Sequence, residues 1–541
     1  MRELPLFLLL SFVLAQQRAA VPNPPAFRIR GVVVDAITHQ PVARASVVLF
    51  RDQDELISAA GDDGAFAFDG LLPGKYPLTA VAPGYLRELY LAHDGYYSSV
   101  VVGPGLDSEH LVFPLHRQGV IQGKITDDRG EPVRGAQVHL YLASVAYGIR
   151  GELLRPTHTD DLGAFRFAHL RAGKYVIVVR ARPWYAQTRF QHLPRTAQQG
   201  MLGGIIPLDR DPALDVVFPI TYFPGVTNSD AAAELDLAPG ETADADISLQ
   251  AVPSLHLRVT SVSTAKGDLP SFSVRTNLYG DSQIDIGAEW RQIDDETYEL
   301  AGLPPQNLVI EAGVAGKAIL GTRVLRVGPD SGDTVDLSSA PAGVPVSGRV
   351  VGLGGEKDSP SAEVIMSRQG SYNTAKMRTD GTFAFPPLVP ATYEVNVYNF
   401  GVGEVVHSVT GTGAAITGRH IKIDGKSEVR LTVTMGRGYG KLTGFAQSDG
   451  KPFGGALILL VPESGENPDS DARVDQSNTD GSFSLSDILP GRYVLLAFAD
   501  GWDLEWKKPE ILKPYLVRCQ HVRVAAGETR NVAAEIIRKS D

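Results

Sequence analysis

The chain reads as all-β, a tandem array of about five seven-stranded antiparallel β-sandwich domains. Three observations predict this class. A block of motifs recurs at near-constant spacing, apolar residues beside those motifs alternate with a two-residue period, and no long helical periodicity follows the first fifteen residues.

The recurring block is seen first as Asp63-Gly64-Ala65-Phe66-Ala67-Phe68, continuing to Leu72-Pro73-Gly74-Lys75-Tyr76. It returns as Gly163-Ala164-Phe165-Arg166-Phe167 to Tyr175, as Asp380-Gly381-Thr382-Phe383-Ala384-Phe385 to Tyr393, and as Asp480-Gly481-Ser482-Phe483-Ser484-Leu485 to Tyr493. In every copy the aromatic lies two residues and the Tyr twelve residues after the Gly. The leading glycines are 99, 218 and 100 residues apart, so the middle gap has room for one more copy. Tyr298-Glu299-Leu300-Ala301-Gly302-Leu303-Pro304 fills it, with Glu296 where the Gly should be. A second signature lies upstream. Gly31-Val32-Val33-Val34-Asp35 leads to Pro41 and Ala45, Gly123-Lys124-Ile125-Thr126-Asp127 to Pro132 and Ala136, and Gly444 to Pro452 and Ala456; the fourth copy keeps Gly348 and Ala362 but lacks the Pro.

Each piece has a physical reading. Ala45, Val47 and Leu49, like Phe66 and Phe68, alternate toward a core at the period of a half-buried strand. Asp-Gly supplies a residue tolerant of positive φ beside a short polar side chain, the chemistry of a tight turn. Leu-Pro-Gly-Lys-Tyr stops one strand and starts the next. The expected domains are 27–118, 119–250, 251–342, 343–436 and 437–541. The second carries an insertion at about 183–215, the longest departure from the template and a candidate binding surface.

Composition narrows the function classes. Of 541 residues, 51 are Lys or Arg and 62 Asp or Glu, for a net charge of −11, so no nucleic-acid-binding field is expected. Residues 1–15 join a basic start to a short apolar run ending at Val13-Leu14-Ala15, a secretory signal peptide, with 16–26 as linker. The apolar run is shorter than the ~20 residues of a membrane-spanning helix. The expected location is therefore exported, in the periplasm, at the cell surface or outside the cell, without stable membrane insertion. The single cysteine, Cys519, cannot form an intrachain disulfide and is read as a buried thiol in a strand 515–519.

These motifs together, Gly-x-Val-x-Asp, Pro-Val-x-x-Ala-x-Val, Asp-x-Gly-x-Phe-x-Phe and Leu-Pro-Gly-x-Tyr, resemble the carboxypeptidase regulatory-like domain. That resemblance implies a transthyretin-like, Ig-like sandwich of the carbohydrate-binding-like fold group, a bacterial source, and an accessory module without catalytic residues. It covers nearly the whole mature chain, strongly in four repeats and weakly in the third.

No catalytic residue, metal site or cofactor is expected. None of the twelve histidines has Glu three residues on, and no nucleophile elbow or phosphate loop is present. His158-Thr159-Asp160-Asp161 and the trio Asp469, Asp471, Asp475 are weak metal patterns, read as turn residues. The stronger regularity is aromatic. Nine residues after the repeat Tyr stand Tyr85, Trp184 and Trp502, whereas Val402 breaks the series. Rings at a strand end either stack on sugar faces and anchor partner proteins, or cap the sandwich and pack against a neighbouring domain. The candidate binding residues are Trp184, Tyr185, Tyr85, Trp502, Trp506, Tyr222 and Phe223. The leading expectation is a non-enzymatic binding, adhesion or scaffold protein of the cell envelope, with carbohydrate or an envelope protein as partner. The alternatives are a hydrolase or peptidase accessory with a site in the repeat-two insertion, including His192, and a mechanical, rod-like spacer.

Overall fold

The computed structural model describes residues 26–51, 54–93, 95–143, 152–153, 156–186, 212–260, 270–278, 283–314, 323–328, 330–336, 343–352, 362–368, 371–399, 404–463 and 472–539. The expected signal peptide, His192, Asp469 and Asp471 lie outside them.

The all-β expectation holds. Repeat one is two facing sheets. Phe27–Asp35 lies between Ala65–Leu71 and Leu111–Leu115, while Ser46–Arg51 lies between Asp54–Ala59 and Leu78–Val81. The same arrangement recurs around the central strands Gly119–Thr126, Leu255–Thr260, Val344–Val351 and Gly440–Ser448. Each sandwich closes its own apolar interior, from Ile29, Val47 and Phe113 in the first to Leu442, Ile458 and Phe483 in the fifth. The motifs lie where alternation put them: Phe66 and Phe68 face the core, and Ala65 and Ala67 face out.

One feature departs from the antiparallel expectation. In every repeat the first strand pairs in parallel with the last strand of the same repeat, as Phe27–Asp35 does with Leu111–Leu115 and Gly440–Ser448 with Thr529–Ile537. A parallel pair needs a long crossover rather than a hairpin, and here the rest of the sandwich is the crossover. Local alternation carries no information about strand direction, so the pairing was not legible. The first strand also carries a register shift near its start in all five repeats, the third included. That shared irregularity ties the degenerate repeat to the others.

The parallel pair explains the Gly of the first motif. A Cβ at Gly31, Gly123, Gly348 or Gly444 would lie within 2.5 Å of a backbone carbonyl oxygen of the last-strand segment. In repeat three Val259 takes the matching place, opposite Tyr298. The Asp closing that motif ties the next turn: Asp35 Oδ1 accepts from the N–H groups of Ile37 and Thr38, and Asp127 Oδ1 from those of Arg129 and Glu131.

The repeat Tyr has an equally specific role. The hydroxyls of Tyr76, Tyr175, Tyr393 and Tyr493 each donate to the carbonyl four residues upstream, at Leu72, Arg171, Val389 and Leu489, at 2.7–2.9 Å. The ring fills the core while the hydroxyl ties down the turn that precedes it. Tyr493→Phe should keep the packing and lose this bond, lowering the stability of repeat five by about 1 kcal/mol in urea unfolding.

Cys519 requires a correction. Tyr515 ends a turn, Leu516–Arg518 form a 3-10 helix, and the strand begins only at Gln520. The thiol is partly exposed and donates to the Leu516 carbonyl oxygen. The apolar run suggests a strand, but Leu516 and Val517 are exposed, at 41% and 88%, in the 3-10 turn.

Candidate functional site

The seven candidate residues do not form one surface. Tyr85 packs against the core of repeat one, and its hydroxyl donates to Asp35 Oδ2, which also takes the Arg117 Nε hydrogen bond at 2.7 Å. The Thr38 N–H first, then Arg117, the Ile37 N–H and Tyr85, hold the Asp35 carboxyl far below its usual range against the opposing effect of burial. Tyr85 is therefore a cap. Trp506 is buried with Leu504, Leu512 and Tyr515 in a cluster beneath repeat five's second sheet. Tyr222 is buried between repeats two and three beside Tyr141 and Val178. Phe223 is half-buried against the repeat-two core. Trp502 lies against repeat one, stacked on His93. Trp506 and Tyr222 are buried and Phe223 and Trp502 half-buried, each packed against other parts of the chain.

Trp184 is different. It stands 82% exposed at the end of the strand Gly173–Arg180, with the Tyr185 ring edge-on at 5.8 Å. Asp127, Asp128 and Arg129 lie close enough to act on the Tyr185 hydroxyl, which burial pushes above its usual range. The tip thus offers a flat indole face beside hydrogen-bonding and charged groups. Residues 187–211 of the insertion lie outside the described residues.

The alternative reading, a hydrolase, places its chemistry at the insertion. Just after it, Asp215 meets Ser254, His256 and Glu299 at the junction of repeats two and three. Ser254 Oγ is 3.2 Å from His256 Nε2, and His256 Nδ1 is 3.2 Å from Glu299 Oε1. The spacing resembles a nucleophile, base and orienting acid, but the hydrogens run elsewhere. Ser254 donates to Asp215 Oδ1 at 2.5 Å, and His256 Nε2 faces Asp215 Oδ2 at 2.6 Å. Each ring nitrogen faces a carboxylate oxygen, and the serine proton is directed to Asp215 rather than to the imidazole, so the serine is not set up as a nucleophile activated by His256. Arg291 holds Glu299 from behind. The cluster is a polar strap between repeats. Sequence reading missed it because its members come from four separate segments.

The weak metal patterns are absorbed locally. Asp475 accepts from the backbone N–H groups of Ser484 and Gln476, and burial raises its pKa. Asp160 Oδ1 accepts from the N–H groups of Leu162 and Ala164. No described helix is long and apolar enough to cross a membrane.

Comparison with known proteins agrees with the motifs. Residues 28–111 and 120–205 match the carboxypeptidase regulatory-like domain, so the chain carries that domain in two copies, at repeats one and two. No curated protein matches the chain. Among solved structures it is similar to a streptococcal ancillary pilin, with 11% identity over 57% of this chain and 98% of the pilin, at a TM-score of 0.19. It is also similar to two B repeat units of the collagen-binding protein of Staphylococcus aureus, with 10% identity over 78% and 99% of the two chains, at 0.14. A minor pilin of Streptococcus agalactiae matches at 14% identity over 42% and 96%, at 0.20. Likeness at this level carries no argument about function.

Proposed function

We propose that the protein is an exported, non-enzymatic, multidomain binding or scaffold protein of the cell envelope that holds carbohydrate through the Trp184 tip of repeat two. The observation that supports this reading is the 82% exposure of Trp184, with the half-buried Tyr185 beside it, while Tyr85, Tyr222, Trp502 and Trp506 pack against other parts of the chain. An indole with one face open to water gains by stacking on a flat apolar surface, and the C–H face of a sugar ring is such a surface. The nearby Asp128 and Arg129 supply polar groups that can orient its hydroxyls.

Binding of the mature protein to a glycan array, with matrix and envelope proteins spotted beside the glycans, tests the reading. Trp184→Ala should weaken glycan binding about tenfold or more, because a central aromatic anchor is worth ~2 kcal/mol. Unchanged glycan binding by the variant would remove the tip from the account. Retention on a protein spot alone would replace carbohydrate by a protein partner.

A further inference from the structure

The first and fifth repeats touch, although some 380 residues separate the groups that meet. We propose that the 91–101 face of repeat one is a docking surface whose occupant is repeat five of the same chain, a clasp that closes the five domains into a loop.

The contact has the marks of recognition. Gln476 Nε2 donates to the Leu91 carbonyl oxygen at 2.6 Å and to Ser98 Oγ at 2.8 Å, and its Oε1 lies 3.1 Å from His93 Nδ1. Ser98 Oγ in turn donates to the Ser477 carbonyl oxygen at 2.7 Å. Asn478 Oδ1 accepts from the Ser99 N–H and Thr479 Oγ1 from the Val101 N–H, while the Thr479 N–H donates to the Ser99 carbonyl oxygen. With the His93 proton on Nδ1, one placement of hydrogens satisfies both the Gln476 amide and the Ser98 hydroxyl. Beside this strip the His93 ring lies 5.0 Å from Trp502 at an interplanar angle of 6°, and Tyr96 covers the same indole at 5.7 Å.

The repeats themselves provide the control. Five residues before the turn Gly, the other clear copies have Ala59, His158 and Lys376, all exposed. Repeat five has Gln476, 1% exposed, with Ser98 of repeat one fully buried against it. The two residues before the Asp-Gly turn, Gly61 and Asp62, Asp160 and Asp161, Arg378 and Thr379, are likewise exposed, whereas Asn478 and Thr479 are partly buried. A sandwich of this type does not bury that strand end by itself; repeat one does. A side chain that hydrogen-bonds on all its polar atoms when buried loses little on docking, whereas a misfit would leave it unpaired.

The test uses the full mature chain. With Ser99→Cys and Thr479→Cys in a Cys519→Ser background, mild oxidation should give an intrachain bridge, seen as faster migration of a monomer band. X-ray scattering of the unsubstituted chain should show a closed particle. Ser99→Arg and Gln476→Arg, wedges on opposite sides of the joint, should each suppress the bridge and increase the maximum dimension, with the far-ultraviolet spectrum of the strands unchanged. Because Gln476 occupies a position that is exposed elsewhere, its substitution spares the sandwich. Scattering unaltered by both wedges, a bridge formed only between chains, or no bridge would overturn the clasp. A rod-like spacer predicts the unaltered scattering.

Discussion

Gly444→Ala should unfold repeat five. A methyl group at this position would lie 2.0 Å from the Val532 carbonyl oxygen and 2.7 Å from the Phe483 ring. Both neighbours are fixed. The carbonyl belongs to the parallel pair between Gly440–Ser448 and Thr529–Ile537, and the ring is 2% exposed in the core. Relief requires the strands to separate, which breaks the ladder and opens the interior together. The expected loss is about 3–5 kcal/mol, at the upper end for a single substitution and comparable with overpacking plus lost strand pairing. Hydrogen exchange at residues 440–448 and 529–537 should accelerate sharply while repeats two to four keep their protection. Gly450→Ala provides the contrast. That glycine has φ +73° with nothing within 4 Å of the added methyl, so only backbone strain of about 1 kcal/mol is expected. Equal effects of the two substitutions would refute the steric account.

Acid should loosen repeat two through His139. This side chain lies on Gln137–Ala143, opposite Val178 and on the sheet face it shares with Tyr141, where repeats two and three meet. It is 7% exposed, and neither ring nitrogen has a hydrogen-bond partner. Burial, with smaller contributions from the charges of Arg180 and His158, pushes its pKa down to about 4 from 6.5. A histidine that binds its proton less readily when folded stabilises the fold fully above pH ~6.5, and that stability is lost as the pH falls toward 4. The loss is about 2 kcal/mol after allowance for partial solvent screening. His139→Leu, close in volume and without the titrating ring, should flatten this dependence between pH 7 and 4.5. The comparison is made on exchange protection of strands 137–143 and 173–180. Parallel acid profiles for the two proteins would exclude His139 as the cause.

Asp35 belongs to a different pH range. Its carboxyl is held so low that its contribution persists above ordinary carboxylate pKa values and fades only in stronger acid. The two groups can therefore be separated by the pH at which protection changes.

The sequence by itself determined the repeat unit. Alternation of Phe66 with Phe68, the Asp-Gly turns and the fixed distance to Tyr76 are local constraints, written wherever a half-buried strand meets a tight turn. They were sufficient to find five sandwiches and even the degenerate copy at Tyr298. The chain order could not say which strand lies beside which, so the parallel pair that makes Gly31 and Gly444 indispensable came only from the tertiary structure. The same holds for the aromatic candidates. Tyr85, Trp184 and Trp502 occupy one position in the repeat, yet Arg117 and Asp35 absorb the first, His93 covers the third, and only Trp184 remains open. A residue's burial depends on what packs over it. When the covering group lies hundreds of residues away, as His93 does from Trp502, no local pattern encodes it, and the three-dimensional path of the chain decides which rings meet solvent.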